Sequence, residues 1–440
     1  MKPIQIGLLG AGVVAGGVVE VLKRNQAEIR RRAGRGIEIA GLAARNVAKA
    51  REALGPEVAI SDDFDALVRR PDIDVIVEVI GGTTRARELV LAAIAAGKPV
   101  VTANKALLAV HGTEIFDAAR ERGVAVGFEA AVAGGVPIIK ALREGLTANR
   151  IAWIAGIING TTNFILSEMR SKGLDFGAVL KEAQRLGYAE ADPTFDIEGV
   201  DAAHKATIMS AIAFGTQVQF DRAYVEGITK LQAADIRYAE QLGYRIKLLG
   251  ITKLRDDAHG QGIELRVHPT LIPGKRLIAN VQGAMNAIVV HGDAVGSTLY
   301  YGKGAGAEPT ASAVVADLVD VTRLITADPD HRVPHLAFQP GALAATPILP
   351  IEQVITAFYL RLQVADKAGV LANITRILAD NEISIDAVLQ RESAEGESQT
   401  DLIILTHDTL EGRMNAALAQ MQSLPSVLAP IVRIRKEELS

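Results

Sequence analysis

The sequence predicts an α/β protein of three consecutive domains, and three patterns along its 440 residues support this fold class. Near the N-terminus, apolar strands alternate with helical segments, which is typical of a doubly wound parallel sheet. From about residue 150 the alternation gives way to mixed helices and strands, which indicates a second, α+β domain. The last stretch follows the order strand, helix, strand, strand, helix, strand, and so predicts a small ferredoxin-like βαββαβ unit with two helices on one face of its sheet.

Composition restricts the range of functions. Hydrophobic residues make up 49% of the chain, charged residues 22%, and the formal net charge is −4. Such a chain gives no reason to expect nucleic acid or an anionic membrane surface as a partner. No apolar stretch free of glycine and charge reaches the length of about 18 residues that a spanning helix needs. Cysteine is absent, which excludes disulfides, a thiol nucleophile and thiolate metal sites and suits a cytoplasmic protein.

The first predicted domain, residues 1–130, opens with a glycine-rich turn between a strand and a helix. An apolar run, Ile4 to Leu9, leads into Gly10-Ala11-Gly12-Val13-Val14-Ala15, which has the form G-x-G-x-x-A. In such a turn the first glycine permits the tight bend and the second lets a pyrophosphate approach the backbone, while the helix N-terminus supplies N–H groups. The segment therefore predicts a Rossmann domain that binds a nicotinamide dinucleotide.

Residues at the ends of later strands extend this prediction. The second strand ends in Ala43-Ala44-Arg45-Asn46, without the carboxylate that would hold both ribose hydroxyls of NAD. Arg45 suits a 2′-phosphate, so NADP is expected, with NAD as the second choice; a solvated loop arginine is the alternative. Thr83 and Lys105 follow two further strands at the sheet edge where ligands of such folds bind, although Lys105 is also compatible with a plain surface lysine.

The second predicted domain, residues 131–308, contains the most informative stretch, which runs from Gly187 to Lys205. Lys205 lies among apolar residues at helical spacing, and Asp201 comes one turn before it, within reach of its ammonium group. Because an inward-facing lysine is costly to keep charged, its pKa is expected to fall into a range useful for acid/base chemistry. Glu190 and Asp196 add carboxylates suited to a small charged substrate. An ordinary Asp–Lys pair on a solvated helix face is the alternative.

Two further glycine-rich segments point to ligands. Glu129 ends a predicted strand before a glycine-rich turn with free carbonyl groups, a combination compatible with a hard cation bound through oxygen. Gly302 to Gly306 precede a helix of about residues 309–327, which is expected to pack back on the first domain. That glycine-rich loop either closes over the dinucleotide or is a flexible connection.

The remaining chain is predicted to hold a linker, residues 328–352, and a third domain, residues 353–440. The linker is rich in Pro, His, Asp and Gly. Its His331 and His335 are four residues apart, but they are interpreted as structural because the prolines argue against a helical metal pair. The third domain contains no catalytic constellation.

Together these motifs closely resemble the homoserine dehydrogenase family in its longer form, which carries a C-terminal ACT domain. The segments that carry the resemblance are Gly156 to Asn163, Gly187 to Lys205, Thr102 to Lys105 and Lys303 to Gly306, and the match covers nearly the whole chain. The resemblance implies reversible, nicotinamide-dependent interconversion of L-homoserine and L-aspartate 4-semialdehyde, on the route to threonine, methionine and isoleucine.

The resemblance also implies residue roles. Lys205 would be the acid/base lysine with Asp201 as its partner, and the substrate would be bound by residues of the preceding loop, namely Gly187, Glu190 and Asp196. Lys105 would lie at the junction of cofactor and substrate, and Gly306 would contact the cofactor. A structural sodium ion is implied at Glu129, Val132, Gly134 and Val136. Threonine is the implied effector of the ACT domain, and a homodimer or homotetramer is expected.

Two segments depart from the family pattern. Val13 and Ala15 stand where members usually have Thr and Gly, so the pyrophosphate turn is expected to be slightly altered. Lys367-Ala368 replaces the more usual residues before Gly369, which weakens any assignment of the amino acid that the ACT domain binds. Two other functions stay open: an NADP-linked dehydrogenase for another amino-acid aldehyde or hydroxy acid, and a non-catalytic amino-acid sensor.

Overall fold

A computed structural model describes residues 2–257, 260–325, 333–390 and 398–439, and the chain divides into two compact units. The first unit contains residues 1–160, 201–223 and 284–346, and the second contains residues 161–200, 224–283 and 347–440. Each unit is therefore assembled from three separate parts of the chain. Among the described residues, no helix has the length and apolar character needed to cross a membrane.

The strands of the described residues, in chain order, are β1 (Ile4–Leu9), β2 (Ile37–Ala43), β3 (Ile60–Ser61), β4 (Val75–Glu78), β5 (Val100–Thr102), β6 (Val126–Gly127), β7 (Ile151–Ile157), β8 (Tyr224–Val225), β9 (Tyr244–Asp257), β10 (Gly260–Pro273), β11 (Met285–Gly292), β12 (Gly296–Lys303), β13 (Ile355–Ala365), β14 (Ile385–Gln390), β15 (Gln399–Thr406), β16 (Thr409–Leu410) and β17 (Val432–Lys436). The helices are α1 (Val13–Arg24), α2 (Gln26–Ala33), α3 (Val47–Leu54), α4 (Phe64–Arg69), α5 (Thr84–Ala95), α6 (Lys105–Arg122), α7 (Ile138–Lys140), α8 (Gly160–Lys172), α9 (Phe176–Arg185), α10 (Thr194–Ile197), α11 (Val200–Phe214), α12 (Ala233–Gln241), α13 (Ala307–Leu324), α14 (Val370–Asp380) and α15 (Glu411–Gln422).

A six-stranded sheet forms the framework of the first unit. Its order is β3-β2-β1-β4-β5-β6, and every pair of neighbouring strands is parallel. The direction in which successive strands are added reverses between β1 and β4, and folds of this kind bind ligands outside the carboxyl ends of the strands at that point. The doubly wound sheet that the sequence predicts is confirmed. The first unit also contains an antiparallel group in which β11 pairs with β12 on one side and with β7 on the other.

Helix α13 comes from a distant part of the sequence and packs against α1. A Cβ atom on Gly17 would lie 2.3 Å from the carbonyl oxygen of Ala307, so only glycine permits this close approach. Apolar side chains of α13, including Val314 and Leu318, join the buried core that contains Leu8 of β1. The helix begins at Ala307, two residues before the predicted start near residue 309, and Pro309 falls in its first turn, where a missing backbone N–H costs nothing.

The second unit contains the ferredoxin-like fold of the C-terminal residues. Its sheet has the order β9-β10-β17-β13-β15-β14, so the long hairpin of β9 and β10 continues the C-terminal sheet. The join is a short parallel pairing in which Thr270 lies opposite Arg435 and Leu271 opposite Lys436. Helices α14 and α15 bury Ile374 and Met414 in the core beneath this sheet. The βαββαβ order predicted from the sequence is confirmed.

Some predicted element boundaries are wrong, and backbone geometry explains why. The strand expected to end at Glu129 covers only β6; Glu129 instead begins a short 3-10 turn, and its backbone N–H donates to Asp317 and not to a neighbouring strand. The first helix of the ferredoxin-like unit begins at Val370, directly after Gly369, which has a left-handed φ of 89°. In the segment expected to be a loop, Gly302 and Lys303 belong to β12.

The predicted linker is described only in part. His331 and the other residues of 326–332 lie outside the described residues. His335 accepts a hydrogen bond from the backbone N–H of Val126 at 3.1 Å, and its ring stacks on Phe116.

Candidate active site

Lys205 lies on α11, a helix of which 13 of 15 residues are buried, so no face of this helix is broadly solvated. The Lys205 ammonium group donates to Asp201 Oδ2 at 2.7 Å and to the carbonyl oxygen of Ile158 at 2.8 Å. The acid and the lysine are one helical turn apart, which places both side chains on the same side of the helix. The pair is therefore buried, contrary to the alternative of an ordinary pair on a solvated face.

Asp201 is the centre of this cluster. The side-chain amide of Asn159 donates to its Oδ2 at 2.9 Å, and Lys105 Nζ lies 3.1 Å from its Oδ1. Burial alone would raise the pKa of Asp201, but the ammonium groups of Lys205 and Lys105 hold that pKa well below its ordinary value. Asp201 is consequently a carboxylate over the whole physiological pH range and fixes both lysines. Lys105 is not a plain surface lysine, since it belongs to this cluster.

His204 precedes Lys205 and has no predicted role in the sequence analysis. Its ring packs edge-on against Phe220, with ring centroids 4.3 Å apart. Burial lowers the pKa of His204 to about 4, so its imidazole is neutral at pH 7 and is a poor source of protons there. Lys205 stays the predicted acid/base group of this cluster.

The predicted substrate-binding residues lie in the second unit, in the segment between α9 and α11. Gly187 has a left-handed φ of 77°, which makes the turn, and Glu190 is exposed. The Thr161 hydroxyl lies 2.9 Å from Asp196 Oδ2 and 2.7 Å from the carbonyl oxygen of Tyr188, so it orders both parts of the segment. The roles of Gly187, Glu190 and Asp196 in binding substrate stay predictions.

The glycine-rich turn after β1 has room for a pyrophosphate. Gly10 has a φ of 112°, and a Cβ on it would lie 2.9 Å from the carbonyl oxygen of Val79, so the turn requires glycine. Gly12 is exposed, and a Cβ there would meet no atom within 4 Å, which leaves the backbone open at the N-terminus of α1. Ala15 is fully buried, so this small side chain is accommodated in the packing of the helix. The residues present fit a dinucleotide.

The other predicted cofactor residues also lie in the first unit. Val13 and Val14 open α1 directly after Gly12, and Val13 is 72% exposed. Arg45 is exposed just beyond β2. Thr83 is the residue before α5, and Gly306, with a φ of 126°, is the residue before α13. Their contacts with a cofactor stay predictions.

The predicted cation loop is buried, and the Glu129 carboxylate is already engaged. It accepts backbone N–H groups from Ile139 at 2.9 Å and Lys140 at 2.8 Å. Burial raises the pKa of Glu129. A cation at this loop would therefore depend on the backbone carbonyl oxygens of the predicted set, namely Glu129, Val132, Gly134 and Val136. No cluster of three or more His, Cys, Asp or Glu side chains suited to a metal exists within the described ranges.

A cavity of about 550 Å³ lies elsewhere in the first unit. Its lining includes Phe116, Arg143, Asp317, His335 and Phe338, and contains neither Lys205 nor Asp201. This cavity is therefore not the site of the lysine–carboxylate cluster.

A doubly wound sheet with an open glycine turn, together with a buried lysine held by a carboxylate, is typical of a dinucleotide-dependent oxidoreductase. Comparison with known proteins is more specific. Residues 137–319 match the family model described as homoserine dehydrogenase, and residues 10–129 match the one described as homoserine dehydrogenase, NAD binding domain. Residues 358–426 match the ACT domain.

Two similar proteins match the full length of the chain, and a third matches most of it. A homoserine dehydrogenase of Pseudomonas aeruginosa is 60% identical over 440 residues, which is 100% of both chains. The crystal structure of a homoserine dehydrogenase from Thiobacillus denitrificans is 65% identical, with a TM-score of 0.95, and covers 100% of this chain and 99% of its own. A hyperthermophilic archaeal homoserine dehydrogenase solved in complex with NADPH is 25% identical, with a TM-score of 0.62, over 73% of this chain and 98% of its own.

The chain belongs to the homoserine dehydrogenase family. It is an oxidoreductase that acts on a CH–OH group, has a nicotinamide-dinucleotide-binding domain and ends in an ACT domain. The recognition of this family from sequence motifs is confirmed, and family membership argues against a non-catalytic sensor.

Two residues that contact predicted site residues have no role in the sequence analysis. Asn159 holds Asp201 and Thr161 orders Asp196, although both belong to the segment Gly156 to Asn163 that carries the family resemblance. The available signal was this run of side-chain amides and hydroxyls directly before a helix. Its partners could not be read from the sequence, because they lie 42 and 35 residues further along the chain.

Proposed function

We propose that Lys205 is the acid/base group in the interconversion of L-homoserine and L-aspartate 4-semialdehyde. The observation that carries this proposal is the buried contact between Lys205 and Asp201, which also has Lys105 at its second oxygen. A carboxylate that stays ionised holds the lysine in one position, and a positioned amine is what proton transfer requires. Glu190 and Asp196 then bind the charged groups of the amino-acid substrate.

The hydride is transferred at the substrate carbon that carries the oxygen, and the proton is transferred at that oxygen. A bound nicotinamide dinucleotide supplies or accepts the hydride. During oxidation, neutral Lys205 takes the proton from the substrate hydroxyl; during reduction, its ammonium group gives a proton to the developing alkoxide. Asp201 receives a hydrogen bond from the lysine throughout and neutralises the charge of the ammonium form.

The test is the change in nicotinamide absorbance with L-homoserine, beside a panel of other amino-acid alcohols and hydroxy acids. Preferential turnover of homoserine is the expected result. If another substrate is preferred by a wide margin, the related dehydrogenase with a different substrate becomes the better interpretation.

The dinucleotide is proposed to be NADP, with NAD as the weaker cofactor. Arg45 lies exposed at the end of β2, where an acidic residue would otherwise select NAD. NADPH is the ligand of the archaeal relative. Replacing Arg45 by Glu is expected to raise the KM for NADP by about tenfold while changing the KM for NAD little, since a charge-assisted hydrogen bond to phosphate is lost. Equal KM values for NADP in the variant and the wild type would remove Arg45 from the cofactor site.

A monovalent cation, sodium by resemblance, is proposed at the carbonyl oxygens of the loop that follows Glu129. Oxygen donors suit such a hard ion, and its role would be structural. Thermal unfolding in sodium, potassium and choline chloride at equal ionic strength tests this: stabilisation by sodium alone is expected, whereas identical unfolding in all three salts would exclude a specific site.

Regulation is proposed to reside in the ACT domain, with threonine as the effector, in a cytoplasmic route to threonine, methionine and isoleucine. A homodimer or homotetramer is the proposed assembly. Inhibition by threonine, compared with lysine and methionine at the same concentration, tests the effector, and sedimentation equilibrium tests the assembly.

A further inference from the structure

Glu78 is a fully buried carboxylate at the end of β4 that the proposed chemistry does not use. In sequence it is the acidic residue of an otherwise apolar run, Val75 to Ile80. Burial raises its pKa, against the effect of the hydrogen bonds that it accepts. Burying a carboxylate is costly, and the contacts of Glu78 explain what it does.

The two oxygens of Glu78 contact two different loops. Its Oε1 accepts the backbone N–H groups of Ile80 at 2.9 Å and Gly81 at 3.2 Å, which belong to the turn after β4. Its Oε2 accepts the hydroxyl of Thr102 at 2.7 Å, at the end of β5. One side chain therefore fixes the carboxyl ends of two adjacent strands.

The second loop returns to the first through Asn104. The Thr102 hydroxyl oxygen accepts the backbone N–H of Asn104 at 3.0 Å, and the Asn104 side-chain amide donates to the carbonyl oxygen of Gly82 at 2.7 Å. The Asn104 side-chain oxygen also accepts the N–H of Leu107, which caps the start of α6. The hydrogen bonds form a closed chain from Glu78 through Thr102 and Asn104 to the turn that holds Gly81 and Gly82.

This closed chain supports a turn that would otherwise be loose. Gly81 and Gly82 have φ values of 73° and 74°, both are exposed, and a Cβ on either would meet no atom within 4 Å. Successive glycines of this kind have many accessible conformations. The turn leads directly to Thr83, and Asn104 leads directly to Lys105, whose ammonium lies 3.1 Å from Asp201.

We propose that Glu78 is a positioning residue that holds the Gly81–Thr83 turn and the start of α6 together so that both face the nicotinamide dinucleotide. This rests on the proposed function, in which Thr83 and Lys105 contact the cofactor. Glu78 itself touches neither cofactor nor substrate; it acts through Thr102 and Asn104.

The experiment is a titration of the full-length protein with NADPH, followed by fluorescence, together with thermal unfolding of the same samples. Glu78→Gln keeps the shape but replaces an acceptor oxygen by a donor, and it is expected to raise the Kd by about tenfold. Thr102→Val removes only one hydroxyl and is expected to raise the Kd by about threefold. Because both residues act through one chain of hydrogen bonds, the double variant should bind no more weakly than Glu78→Gln alone. Glu38→Gln, at an exposed position on β2, is the matched control and should bind like the wild type.

The outcomes separate the inference from the proposed function. If the wild type binds NADPH and both Glu78→Gln and Thr102→Val bind it equally well, Glu78 is not a positioning residue, and the proposed function is unaffected. The inference would also be overturned if the increases in Kd multiply in the double variant, or if the Kd rises in proportion to the fall in thermal stability. Either result would indicate general damage to the sheet. If the wild type does not bind NADPH, the result contradicts the proposed function on which this inference rests. Should Glu78→Gln not fold, Thr102→Val still decides the matter by the same binding measurement.

Discussion

Two acid–lysine pairs in this protein have the same helical spacing and opposite surroundings. Glu168 and Lys172 on α8 lie 2.6 Å apart, with side chains 25% and 49% exposed. Asp201 and Lys205 on α11 lie 2.7 Å apart, with side chains only 6% and 11% exposed. The spacing determines that the charges meet, but the surroundings determine what the contact does. In water such a pair is weak, whereas the buried pair holds Lys205 in one position.

Burial of charge is not sufficient for catalysis either. In the second unit, Arg435 is fully buried and donates to Glu411 at 2.7 Å, to Glu226 at 2.8 Å and to the hydroxyl of Tyr224 at 3.0 Å. An arginine keeps its proton at any physiological pH, and this one is held on several sides. The Arg435 cluster therefore stabilises the pairing of β10 with β17, while the Lys205 cluster contains a group able to exchange a proton.

The largest expected effect separates the two acid–lysine pairs. Lys205→Ala should lower kcat by a factor on the order of 10²–10⁴, the usual loss when a general acid/base is removed. Lys172→Ala, the matched control, should change kcat by less than about twofold, because an exposed pair contributes little. Steady-state kinetics with homoserine, beside NADPH titration of each variant, measures both. A Lys205→Ala enzyme with nearly normal kcat would remove this lysine from the mechanism.

The next effect separates the two buried clusters. Arg435→Met takes the closest partner from the buried Glu411 and leaves it only Arg433, at 3.3 Å, so the free energy of unfolding should fall by about 3–5 kcal/mol. Denaturant unfolding measures the loss. At temperatures where the variant is folded, kcat should stay near that of the wild type; a large fall in kcat of the folded enzyme would mean that Arg435 does more than stabilise.

A third buried cation, Lys247, predicts a pH dependence. It donates to Asn163 and to the carbonyl oxygen of Val281, and burial, together with the charges of Arg170 and Arg245, lowers its pKa from 10.5 to about 7. Glu240 also faces this region and pairs with both arginines. Between pH 7 and 10.5 the unfolded chain therefore holds a proton that the folded protein has released.

The contribution of Lys247 to the free energy of unfolding therefore rises with pH in that interval, by at most about 1.4 kcal/mol per pH unit. Lys247→Met should remove the rise, so the stability difference between wild type and variant should grow from about pH 7 to about pH 9. Urea unfolding across this range provides the measurement. Parallel pH profiles for the two proteins would mean that Lys247 stays charged when folded.

The smallest effect is expected at Glu168, the partly exposed acid of the α8 pair. Glu168→Gln should change the free energy of unfolding by less than about 1 kcal/mol, and raising the salt concentration should abolish the difference. Chemical unfolding at low and high salt tests this. A salt-independent loss of several kcal/mol would show that exposure alone does not distinguish the two pairs.

Much of the fold was predictable from local signals. The alternation of strands and helices predicted the parallel sheet, the G-x-G-x-x-A turn predicted the start of α1, and the order of the last six elements predicted the ferredoxin-like unit. These patterns are local because periodicity and turn chemistry depend on neighbouring residues. Boundaries were less predictable where a distant residue intervened, as at Glu129, whose backbone N–H donates to Asp317.

The sequence by itself determined the residue types of the site and the family that they resemble. Only the tertiary structure decided that Lys205 and Asp201 are buried, that Lys105 joins them, and that Asn159 completes the cluster. The same is true of Glu78, whose role depends on Thr102, 24 residues away. The physical reason is that burial and hydrogen-bond partners are set by long-range packing, which the helical spacing of an acid and a lysine does not encode.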